Sequence, residues 1–310
     1  MQEASRTNAP AGFARRGSLR VAYPRSFQMK LRSIAGLSVA AALLLSVAPA
    51  AEAISLVGLT NSNSLVLFDS ATPSSSSTVS VTGVTGTLLG IDFRPANGLV
   101  YGLTDTNNLY TINPFTGAAT FVSTLSVPFT GGQISGVDFN PVPDRLRVVG
   151  ANDQNFRINV DTGAVIVDGT INPGDPNLTG AAYTNVDTDL NTGTTLYTID
   201  YVTDQLFIQN PPNDGTLVAV GSLGIDFGPE VGFDIATVNG ANFAFATSGS
   251  NLYSIDLGTG AASFIGATGA SFVGLTSIPQ PVPEPSPLAG LVPFAGLLAF
   301  ARLRKRQTGV

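Results

Sequence analysis

Between residues 54 and 278, apolar and polar positions alternate with a period near two, in short runs ending in Gly, Asn, Asp or Pro. That pattern predicts strands joined by turns. Four phrases recur in a fixed order. The first reads LLGIDFRP at 88–95, ISGVDFNP at 134–141, LTGAAYTN at 178–185, EVGFDIAT at 230–237 and SFVGLTSIP at 271–279. Its glycines, Gly90, Gly136, Gly180, Gly232 and Gly274, are spaced by 46, 44, 52 and 42 residues. The second runs ISLVGLTN, GLVYGLTD, RLRVVGAN, TLYTIDYV and NFAFATSG, starting at residues 54, 98, 145, 195 and 242. The third runs SLVLFD, NLYTIN, NFRINV, QLFIQN and NLYSID, and the fourth TVSVTGV, ATFVSTL, AVIVDGT, LVAVGSL and ASFIGAT. Thr-Gly pairs at 116–117, 162–163 and 259–260 punctuate the hairpin between the last two phrases, where Gly supplies positive φ.

Four strands repeating about every 45 residues are the mark of a propeller blade. The expectation is an all-β fold, a five-bladed β-propeller of four-stranded blades. The chain enters on the second phrase at Ile54 and leaves on the first, at 271–279. The C-terminal strand should therefore join the first blade and close the ring. An open solenoid or sandwich is the alternative, but an orphan first phrase at the far end suits a ring.

Composition narrows the chemistry. The 310 residues include no Cys, His or Trp. Disulfides, Cys or His nucleophiles and zinc sites built on Cys or His are excluded. Between Ile54 and Pro281 there are four Arg, no Lys, 17 Asp and the single Glu230, a net charge of −14. Such a body repels nucleic acid and anionic lipid, and it has no lysine for Schiff-base chemistry.

The remaining positive charge sits at the ends, which read as addresses. Residues 1–53 comprise an N-terminal extension and a Sec-type signal peptide. Met29-Lys30-Leu31-Arg32 precedes an apolar run at 34–47 and a small-x-small site at Ala51-Glu52-Ala53, with Ile54 as the mature start. Export across the inner membrane is expected, and Met29 is a candidate start codon. After the propeller domain at 54–278 come a Pro-rich linker at 279–287, an apolar run at 288–301 and the basic cluster RLRKR at 302–306. Fourteen apolar residues make about 21 Å of helix against a hydrocarbon core near 30 Å, so membrane insertion through this segment is expected to be transient.

Two resemblances arise from these residues. Val282-Pro283-Glu284-Pro285-Ser286, the apolar segment and RLRKR together resemble the PEP-CTERM sorting signal of Gram-negative bacteria. The resemblance implies an exosortase-type processing enzyme as partner, with Pro283, Glu284 and Pro285 as a processing site. It also implies delivery to the outer surface or extracellular matrix. The body, through GIDFRPANGLVYGLTDTNNLYTINPFTGAAT and DFNPVPDRLRVVGANDQNFRINVDTGAVIVDG, resembles bacterial secreted domains of unknown function numbered 4394. That family implies no activity.

Candidate chemistry is sparse. Asp92, Asp138 and Asp234 share one position in the first phrase, which Ala182 and Thr276 fill in the other two repeats. First strands line a propeller's channel. Three carboxylates there suit a cation or a glycosidase acid/base set. The plainer reading is that each accepts neighbouring backbone amides. Asp187, Asp189 and Asn191 stand in a D-x-D-x-N-x-G run like a calcium loop, but Gly193 comes one place late and Thr198 replaces the closing Glu. Arg145, Arg147 and Arg157 would bind an anionic polymer or, more simply, pair with Asp144, Asp153 or Asp161. Tyr110 and Tyr253 match in the third phrase and read as packing between blades. The leading expectation is a non-catalytic, surface-delivered binding or matrix protein, with an extracellular polysaccharide or surface protein as ligand and no cofactor. A carboxylate-based polysaccharide-cleaving enzyme and a calcium-dependent adhesion module are the alternatives.

Overall fold

In the computed structural model, residues 53–279 are described, apart from 188 and 190. The described residues fall in one compact unit. Ala51, the linker residues Pro283, Glu284 and Pro285, and the apolar and basic tail lie outside the described residues. Among the described residues, no helix is long and apolar enough to cross a membrane.

Burial grades outward along each repeat, and that gradient orders the strands. LLGIDFR is buried at six of its seven positions, whereas the last strand of the same repeat, ATFVST, is buried at one. A strand covered on both faces belongs at the centre and a half-wet one at the edge. The second blade accordingly runs outward as β4 (Leu88–Arg94), β5 (Leu99–Thr104), β6 (Asn108–Ile112) and β7 (Ala119–Thr124). The third is β8 (Ser135–Asn140), β9 (Arg145–Gly150), β10 (Asn155–Asn159) and β11 (Ala164–Val167). The fourth is β12 (Leu178–Tyr183), β13 (Leu196–Asp200), β14 (Gln205–Gln209) and β15 (Leu217–Ser222). The fifth is β16 (Phe233–Val238), β17 (Ala241–Ser248), β18 (Asn251–Ile255) and β19 (Ala262–Ala267).

The first blade is assembled from both ends of the body, in the order β20 (Gly274–Ser277), β1 (Ser55–Leu59), β2 (Ser64–Asp69) and β3 (Thr72–Ser80). β1 and β20 pair antiparallel from Leu56↔Ser277 to Leu59↔Gly274. Phe272 stacks on Phe68 at 5.7 Å beside this seam. The fold is the expected five-bladed β-propeller, closed by its C-terminal strand.

The core is divided among the seams. Each of five buried apolar clusters joins two neighbouring blades, as where Leu103 and Leu109 meet Phe139 and Val148. The recurrent glycines let the inner strands approach. A Cβ on Gly136 would collide with the backbone of Gly180 and Ala181, and one on Gly90 with the Val137 side chain.

Several boundaries differ from expectation, two of them for a legible physical reason. The fourth phrase of the first blade was expected at 78–84, but β3 spans Thr72–Ser80 and takes in the serine run. Its serines lack an apolar alternation, yet they ladder onto β2 through Phe68↔Ser76 and Leu67↔Ser77. In the fifth blade the expected strand begins at Phe233 rather than Glu230, because the Thr247 hydroxyl takes the Gly232 amide at 2.9 Å.

Candidate functional site at the propeller axis

Inner strands of adjacent blades face each other without forming one sheet, so their amides need other acceptors. One position meets that need on four of the five inner strands. Asp92 on β4 accepts the Phe139 amide of β8 at 2.7 Å. Asp138 on β8 accepts the Tyr183 amide of β12 at 3.0 Å. Asp234 on β16 accepts the Ser277 amide of β20 at 2.6 Å. Thr276 on β20 accepts the Phe93 amide at 3.0 Å and donates its hydroxyl to Asp92 at 2.8 Å. Side chains thus latch four of five seams. The fifth has Ala182, whose methyl joins the apolar cluster of blades four and five.

These latches bring three carboxylates together. Asp92, Asp138 and Asp234 are all buried, and one oxygen from each lies within 4.8 Å of the others. Burial holds all three above the ordinary carboxylate range. The charge of Asp234 adds to the rise at Asp92, and those of Asp92 and Asp234 add to it at Asp138. The space beside them is about 10 Å³, enough for one water and too small for a sugar ring. An all-oxygen donor set suits a hard cation in kind, but four of the six carboxylate oxygens already accept hydrogen bonds, both of Asp92 and one each of Asp138 and Asp234, where calcium takes six to eight ligands. The arrangement can share protons and hold strands. It has no room to bring a substrate to the carboxylates.

Asp187, Asp189 and Asn191 sit in a loop between β12 and β13. Asp187 accepts the Asp189 amide at 2.8 Å, and Asp189 accepts the Asn191 amide at 2.9 Å. The bonds from Asn191 hold the Asp189 carboxyl below its ordinary range. These are successive Asx turns, each carboxylate serving its own loop.

Arg147 and Arg157 form ion pairs, but with Asp168 in place of Asp144, Asp153 or Asp161. Arg147 bonds Asp168 at 2.7 Å, Asn155 at 2.6 Å, and Asn213 of the fourth blade at 2.8 Å. Arg157 clasps the same Asp168 through two bonds. Arg145 donates to the carbonyls of Pro143 and Asp144. The residue that takes Asp144 and Asp161 is Arg94, which sequence reasoning passed over. It bonds both carboxylates of the third blade at 2.6–2.9 Å, and the Tyr101 hydroxyl at 3.1 Å. A signal was present: Arg94 follows Asp92 by two residues on the same strand face and is one of four cations in the body. Tyr110 and Tyr253 meet their ring partners inside their own blades, Phe121 at 5.9 Å and Phe264 at 5.8 Å, and each also packs against the apolar cluster shared with the preceding blade.

Two larger hollows flank the chain's exit at Ile278 and Pro279. One, about 360 Å³, is lined by Ile54, Val186, Val238 and Asn239 among others. The other, about 520 Å³, is lined by Leu99, Asn113, Pro114 and Phe115, with Phe115 60% exposed.

Comparison with known proteins finds a family described as "Domain of unknown function (DUF4394)" matching residues 64–276. No curated protein matches the chain. Similar solved structures include a structural genomics protein of unknown function from Bacteroides thetaiotaomicron, at 13% identity and a TM-score of 0.45, covering 71% of this chain and 55% of that one. The chain thus spans about half the length of that relative. Glutaminyl cyclase from Myxococcus xanthus is 15% identical with a TM-score of 0.36, over 61% and 69% of the two chains. YCF48, solved bound to D1 peptide, is 14% identical with a TM-score of 0.35, over 66% and 63%.

Proposed function

Since the chain belongs to the DUF4394 family of domains of unknown function, we propose that it is an exported, surface-delivered propeller that binds a macromolecule without transforming it. The observation that carries this reading is at the axis. The three carboxylates best suited to acid/base chemistry are each spent on the next blade's amide, beside about 10 Å³ of space. A hydrolase needs its acid and base open to the scissile bond and to water. The two hollows beside Ile278 and Pro279 offer mixed apolar and amide-bearing walls, the chemistry of a binding face. The small-x-small site ending at Ala53 and the Pro-Glu-Pro tail support export and surface delivery.

The test is a glycan and surface-protein array with the purified propeller, run beside a polysaccharide turnover assay. Specific retention without turnover is expected, and the Asp92→Asn, Asp138→Asn, Asp234→Asn triple variant should bind equally well. Turnover by the native protein that vanishes in the triple variant would overturn the non-catalytic reading. Failure of surface protease to reach the protein on intact cells would overturn the delivery.

A further inference from the structure

The expected leader cleavage site abuts the fold with no spacer. Ala53 is exposed, but Ile54 is 5% exposed and fixed in both directions. Its amide donates to the Ser70 hydroxyl at 3.0 Å, and its carbonyl accepts the Ser70 amide at 2.9 Å. Ser55 pairs with Asp69, and its carbonyl accepts the Ile278 amide at 3.0 Å. The strand they begin, β1, is interior: β2 lies on one edge and β20 on the other. Leu56, Val57 and Leu59 on it are fully buried.

An endopeptidase reads its substrate as an extended strand, through backbone bonds on both sides of the bond it cuts. In the closed ring, Ile54 and Ser55 have spent those groups. Freeing them means breaking the bonds to Ser70 and Ile278 and drawing Ile54 out of the core, an opening of the start of β1 that the folded ring makes rare. We propose that docking of Ile54 and Ser55 against Ser70 and Ile278 sets a deadline for leader removal. Water can be added across the Ala53–Ile54 bond, leaving a carboxylate on Ala53 and an ammonium on Ile54, only before that docking is complete. A chain that docks first keeps its leader. The inference rests on the export reading and adds an order of events to it. Ile278 follows β20, the last strand of the body, so its half of the docking forms only when the final strand is available.

The test uses the full-length chain in mild detergent with a purified membrane signal peptidase, reading product mass and the new N-terminus. Three substrates are compared: the folded chain, the chain opened in urea and returned at once to assay buffer, and a folded variant with six Gly/Ser residues inserted between Ala53 and Ile54. The insertion leaves β1 untouched. Cleavage of the folded native chain should be at least ~100-fold slower than that of the other two. Equal rates for folded native and spacer chains would overturn the deadline. No cleavage of either opened or spacer chain would instead overturn the leader reading itself.

Discussion

The propeller joins its blades in two places with opposite chemistry. At the axis, Asp92, Asp138 and Asp234 hold the next strand's amide with carboxylates that no cation offsets. Farther out, Arg94 of the second blade pairs with Asp144 and Asp161 of the third, and Arg147, which pairs with Asp168 inside the third blade, reaches Asn213 of the fourth. Both devices span a seam. The axial one buries like charges beside one another, and that burial raises its carboxyls. The outer one pairs opposite charge, and Arg94 holds the Asp161 carboxyl below its ordinary range. Burial decides the contrast: a carboxylate without a cation pays for desolvation, and one against a guanidinium recovers it.

The largest effect should come from breaking the buried outer clasp. Arg147 and Asp168 are 1% and 5% exposed at the side chain. Arg147→Ala strands Asn155 and Asn213 and leaves Asp168 with Arg157 alone, so a loss of about 3–5 kcal/mol is expected by urea denaturation. A loss under about 1 kcal/mol would mean Arg157 compensates fully.

Next comes the closeness of the axis. Gly136→Ala puts a methyl into the backbone of Gly180 and Ala181, whereas on Gly274 the nearest atom would be 3.3 Å away. The first should cost about 3 kcal/mol and the second under about 1 kcal/mol. Equal melting temperatures for the two variants would show that the inner strands can shift apart.

The pH profile separates the two devices directly. A raised folded-state pKa contributes stability below the unfolded value and loses it as pH rises through the folded one. Melting temperature should therefore rise as pH falls through the raised folded-state range of the axial carboxyls, contrary to ordinary acid sensitivity. Asp161, lowered by Arg94, acts the other way and loses its share as pH falls through its folded value. The axial triple Asp→Asn variant should be more stable than the native protein above that range and lose the rise on acidification. A native profile that falls steadily on acidification would show the axial carboxylates to be ionised.

The smallest effect should follow Asp161→Ala. Its side chain is 58% exposed, so solvent screens the pair, and Arg94 keeps Asp144. The expected cost is under about 1 kcal/mol, read as a shift of urea midpoint that shrinks in high salt.

Much of the fold was legible because blade and strand are local patterns. LLGIDFRP and its four echoes marked the inner strand of every blade, and the Thr-Gly pairs marked turns where Gly117, Gly163 and Gly260 do carry positive φ. The serine run of β3 was illegible, since a backbone ladder needs no apolar alternation. At the site, the shared position of three Asp was visible, and so was the plainer amide-accepting use. Thr276 was noted only as a gap in that series, although it is a latch in its own right. Arg94 was marked by its place two residues after Asp92, but its partners were not legible because they lie 50 and 67 residues away.

The residue order alone therefore established five repeats, their strands and a ring sealed by its two ends. Alternation and turn residues act within one strand, and the orphan phrase could pair only with the incomplete first blade. Which acidic group meets a cation, and which meets an amide, was settled by the offset between packed blades. That offset comes from fitting glycine-thinned inner strands against one another, a packing no single repeat contains.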